Sequence, residues 1–122
     1  MDMAMDKDAG LYVKTVLDQY LSLGETPTRV NRRDRALALE LFGRGVPLST
    51  VEAAFLLASA RRLCRAADAP PLGPIRSLHY FLPVIEEIIH QPLPADYVHY
   101  LRHKLAPRRP QQSSTINPRS QT

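Results

Sequence analysis

Proline and glycine cut this chain into short pieces, and each sizeable piece between the cuts repeats its apolar residues at helical spacing. The firmest cuts are Ala69-Pro70-Pro71-Leu72-Gly73-Pro74 and Gln91-Pro92-Leu93-Pro94. Proline fixes its own φ, lacks an amide hydrogen and disfavours helical geometry in the residue before it, so neither run continues a helix. Residues 69–74 read as a stiff extended linker. Gly24 with Glu25-Thr26-Pro27-Thr28, and Gly43-Arg44-Gly45, mark two further breaks.

Between these breaks the pattern is read segment by segment. Leu11, Val13, Val16, Leu17, Tyr20, Leu21 and Leu23 predict an amphipathic helix over 9–23. Asn31 is placed as the N-cap of a second helix, with the Asp34 carboxylate near its positive end and an apolar face of Ala36, Leu37, Leu39, Leu41 and Phe42. Ser49-Thr50-Val51-Glu52 has the form of a capping box, and Leu48 stands at the staple position, which predicts a third helix to about Ala67. Its alanines permit close approach, so it is expected to be the central helix, with Cys64 as a buried or half-buried thiol. Arg61, Arg62 and Arg65 fall in its last turns, where cations suit the negative helix end. Pro83 either kinks a helix over 75–90 or lies at the start of a new one after a turn ending near Phe81. A last short helix spans 95–105. No stretch alternates as a strand does. The predicted fold is all-α: a compact bundle of five or six helices over 9–105, with a Pro-rich internal linker, a flexible leader at 1–8 and a disordered basic tail at 106–122.

Composition narrows the class. One cysteine in 122 residues excludes an internal disulfide, and no apolar run nears the roughly 18 residues of a membrane span. The opening Met1-Asp2-Met3-Ala4-Met5-Asp6 is not the basic-then-apolar start of a signal peptide, so a cytoplasmic protein with no membrane partner is expected. The net charge of +4 is unevenly spread: residues 102–122 hold Arg102, Lys104, Arg108, Arg109 and Arg119 and no acid. Eleven bases against twelve acids remain in residues 1–101, a net of −1. A second cluster is Arg29, Arg32, Arg33 and Arg35, interrupted only by Asp34 within its last four positions. Arginine's planar fork suits phosphate, and thirteen of the sixteen bases are arginine.

Motifs for chemistry are sparse. His99 and His103 share a helix face at a spacing that suits zinc, but no third ligand stands at matching spacing, so no metal site is assigned. Cys64 has no evident activating base, and Gly43-Arg44-Gly45 lacks the remainder of a phosphate-binding loop. No cofactor, small-molecule substrate or catalytic residue is assigned, and the chain is read as a non-enzyme. Residues 37–62 can be laid over a helix-turn-helix, but Leu41 replaces the usual small residue, and Phe55, Leu56 and Leu57 occupy the face that should read bases. An ordinary antiparallel helical pair is expected there instead.

Gly45-Val46-Pro47-Leu48 before a long Ala/Leu/Arg helix, followed by the aromatic block from Ile75 through His79, Tyr80 and Phe81 to Glu87, resembles small uncharacterised bacterial helical proteins. The layout is similar to helical domains of plasmid and phage replication initiators and primosome-loading proteins. That resemblance implies an accessory module of a chromosome or mobile element that binds DNA or a replication partner without catalysis. The residues themselves support an accessory protein touching DNA or RNA backbone through Arg102, Lys104, Arg108 and Arg109, with Arg32, Arg33 and Arg35. The alternative is a protein–protein adaptor or homodimer docking through Leu78, Tyr80, Phe81, Val84, Ile85, Ile88 and Ile89, a block apolar around much of its circumference.

Overall fold

A computed structural model describes residues 2–24, 26–65 and 68–105, and every regular element among them is helical. The elements are α1 (Asp2–Leu21), α2 (Arg32–Gly43), α3 (Leu48–Leu63), a 3₁₀ turn (Leu78–Phe81) running into α4 (Leu82–His90), and α5 (Ala95–Leu105). The all-α expectation holds. The chain divides into two units, Met1–Pro92 and Leu93–Thr122, meeting in sequence at the second proline break. The tail at 106–122 lies outside the described residues.

In the first unit α1 starts at Asp2, so the residues expected to form a leader are helical from there on. Tyr12, Val13, Val16, Leu17 and Tyr20 occupy one arc and are buried, whereas Leu11 lies opposite that arc and is exposed. Gly24 ends the segment in the left-handed region at φ 100°, which its missing Cβ permits.

The start of α2 forms a reciprocal cap. The Asp34 amide donates to Asn31 Oδ1 at 2.9 Å, and the Asn31 amide donates to Asp34 Oδ2 at 3.1 Å. The same carboxylate is wholly buried and accepts the Leu78 amide on Oδ1 at 2.9 Å, which fixes the 3₁₀ turn against the first turn of α2.

The connection into α3 corrects the predicted cap. Gly45 takes φ 76° and its amide donates to the Phe42 carbonyl, while the Val46 carbonyl accepts the buried Tyr12 hydroxyl at 2.7 Å. The N-cap is Pro47, whose φ of −64° and ψ of 149° set the extended entry without a side-chain hydrogen bond. The Thr50 and Val51 amides bond to the Pro47 carbonyl, so Leu48 becomes the first helical residue and the Ser49–Glu52 box is displaced into the helix. Val51, Ala53, Ala54, Phe55, Leu57, Ala58 and Ala60 are buried, which makes α3 the helix with the most buried side chains among the described residues. It ends at Leu63 rather than near Ala67, and its C-cap Cys64 is exposed, not buried as expected. Both α2 and α3 pack on α1, and neither packs extensively on the other, so the expected helical pair is joined through α1 instead.

At Pro83 the second of the two expected geometries is found. The 3₁₀ turn ends at Phe81 and Pro83 sits in the first turn of α4, where its missing amide costs no helical hydrogen bond. Phe81 is the aromatic centre of the unit. Tyr20, Phe55 and Tyr80 meet its ring at centroid distances of 6.1, 4.9 and 5.1 Å with interplanar angles of 86°, 80° and 81°. Such edge contacts place positive ring edges on negative faces.

Candidate nucleic-acid interface

The arginines at the end of α3 and beside it are structural. Arg61 forks onto Glu87 at 2.9 and 2.7 Å, and Arg44, the C-cap of α2, forks onto Glu86 at 2.8 and 3.1 Å. Both forks anchor α4. Arg44's hydrogen bond holds Glu86 below the ordinary carboxylate range, and Arg61's does the same to Glu87. Arg62 donates to the Tyr80 hydroxyl at 3.1 Å and to the Gly73 carbonyl at 2.9 Å, with its guanidinium carbon 5.5 Å from the Tyr80 ring centroid. Arg65 donates to the Pro70 carbonyl at 2.6 Å. These two side chains clamp the extended 69–74 linker to the end of α3, a role beyond the helix-end electrostatics expected of them.

Arg32, Arg33 and Arg35 sit in the first turns of α2 and are exposed, and their guanidinium groups make no hydrogen bond or ion pair to other described residues. Helix starts carry partial positive charge, so three cations there reinforce one another as an anion-attracting edge. Asp34, between them in sequence, is buried and turned inward to Leu78. The local run of charges is therefore more positive at the surface than its sequence suggests.

In the second unit α5 places Leu101 in a buried position and Val98 and Leu105 in half-buried ones. Around the rest of the helix Tyr97, His99, Tyr100, Arg102, His103 and Lys104 are exposed. The Tyr97 and Tyr100 rings stack, 6.0 Å between centroids and 21° between planes, and the Lys104 Nζ lies 5.9 Å from the Tyr100 centroid. His99 and His103 form a second stacked pair at 6.4 Å and 21°. Among the described residues no group of three or more potential metal ligands converges. Arg108 and Arg109 lie outside the described residues.

The expected docking block is corrected in its larger part. Leu78, Phe81, Ile85 and Ile88 are buried in the first unit, because one arc of the block closes the core over Tyr20 and Phe55. Tyr80 and Ile89 remain exposed and Val84 half-buried. Phe81, Ile85 and Ile88 are thus core residues rather than a docking surface. In sequence the α5 tyrosines beside their cations suit base stacking, but their spacing from Leu101 and Leu105 equally suits a core face; the structure leaves both Tyr97 and Tyr100 exposed.

No protein-family model, curated protein or solved structure matches this chain. Among the described residues no helix is long and apolar enough to cross a membrane.

Proposed function

We propose that the protein is a non-catalytic, nucleic-acid-associated accessory protein that contacts the phosphate backbone through α5 and the residues after it. Arg102, Lys104, Arg108 and Arg109 are its main contacts, and Arg32, Arg33 and Arg35 are auxiliary ones. The observation that carries this reading is where the charge lies. Residues 1–92 hold eleven bases and eleven acids, so the net +4 belongs wholly to residues 93–122, where Asp96 is the only acid. Within the first unit, the Arg44 and Arg61 charges are matched by Glu86 and Glu87. Clustered cations facing solvent are the electrostatic footprint of polyanion binding.

One further observation fits: a single thiol that is exposed suits a reducing, cytoplasmic compartment. The adaptor reading loses its main support, since most of the apolar bulk of 78–89 is core.

The test is a salt titration of binding to DNA by the full chain. Log K is expected to fall linearly with log salt, and Arg102→Ala and Lys104→Ala each to reduce the slope by roughly one phosphate contact. Deletion from Pro107 onward is expected to weaken binding further. An absence of binding at low salt overturns the proposal.

A further inference from the structure

We infer, building on the phosphate-contact reading above, that the Tyr97–Tyr100 face of α5 is a base-stacking platform, so that the site takes single-stranded nucleic acid in preference to duplex. A spacing of three along a helix brings two side chains together. It does not require both to stay in water. Tyr97 is 41% and Tyr100 53% exposed, while Leu101, next in the chain, is buried. The two rings lie within 21° of parallel, which offers flat aromatic surface along one line of the helix. Lys104 continues that line one turn beyond Tyr100, with its ammonium 5.9 Å from the ring centroid. Ring faces and a cation in one row match the two parts of a nucleotide: the base finds a π-surface and the phosphate a counter-charge. The stacked imidazoles of His99 and His103 add a second flat surface on the neighbouring arc.

Duplex and single strand differ in what this row can use. A duplex offers phosphates but keeps its base faces stacked on each other, so the tyrosines gain nothing from it. An unpaired strand offers both. The charge suits the same occupant: one acid stands against five bases in residues 93–122, which attracts a polyanion and disfavours a basic peptide. A backbone without bases would engage the cations alone.

The experiment uses the full chain and three labelled probes of equal length: an oligothymidylate, a mixed-sequence duplex, and an abasic deoxyribose-phosphate strand. Anisotropy titrations at one fixed salt concentration give the affinities. The oligothymidylate is expected to bind on the order of tenfold tighter than the abasic strand. It is expected to bind tighter than the duplex as well. The Tyr97→Leu/Tyr100→Leu variant removes the preference, and the Tyr97→Phe/Tyr100→Phe variant, which keeps both rings, retains it. Lys104→Gln weakens all three probes together. Equal affinity for the three probes, or a leucine variant that keeps the preference, overturns the stacking platform while phosphate contact stands. No binding to any probe overturns both.

Discussion

At Asp34 a carboxylate is held out of water, and two amides make that tolerable. An unpartnered buried charge is far costlier than a neutral polar group, so the Asn31 and Leu78 amides are conditions of the fold rather than additions to it. The charge also reaches the buried Tyr20, whose phenol is pushed up to about 12, first by burial and then by Asp34. The Tyr20 hydroxyl has no hydrogen-bond partner among the described residues. Asp34→Asn replaces one acceptor oxygen by an NH₂ that faces an amide hydrogen, and is expected to cost about 2 kcal/mol in urea denaturation at neutral pH. A change within about 0.5 kcal/mol, the usual effect at an indifferent surface site, contradicts this account. The local half of the arrangement was legible, since Asn31 and Asp34 stand three apart at the start of an apolar period. The Leu78 amide was not, because it lies 44 residues further along and no short-range pattern marks an acceptor's distant donor.

Among the elements, α4 shows how an apolar block can be mistaken for a surface. Its residues are apolar on more than one side, yet Ile85 and Ile88 turn inward while Ile89 is about one-third exposed. Ile85→Ala is expected to cost about 2–5 kcal/mol, as buried isoleucines do when truncated. Ile89→Ala should cost well under half as much in the same denaturation series, and equal losses at the two sites contradict the assigned faces. Helix boundaries were legible where a side chain sets them, as at Asn31, and less so where backbone does. Pro47 caps α3 through its dihedrals alone, so the side-chain pattern at Ser49–Glu52 pointed two residues late. At the far end the alanines continue past Leu63, and helix propensity alone would carry on. Arg62 and Arg65 instead reach the linker carbonyls, contacts visible only once the chain has turned back.

For the whole molecule, charge is divided along the chain as clearly as structure is. The site residues were legible as charge, since Arg102 and Lys104 stand in an acid-free stretch, but their aromatic neighbours read equally well as core. Stability should depend on pH at both extremes of the first unit. Glu86 and Glu87 have depressed pKa values, so their contribution is present above the ordinary 4.5 and lost as pH falls through the folded values. Tyr20 is raised, so its contribution is present below 10.0 and lost as pH rises towards about 12. Thermal melts across pH should show both limbs, and Glu86→Gln/Glu87→Gln should flatten the acid one; an unchanged acid limb assigns it elsewhere. Because both forks are open to solvent, that limb should shrink in high salt. The inward-facing Asp34 has a last consequence for how the first unit comes apart. If the 3₁₀ turn lifted away while α1, α2 and α3 stayed together, the carboxylate would lose its Leu78 donor while still largely enclosed. That half-open form is therefore penalised, and one side chain couples release of the turn to release of the helix start it rests on.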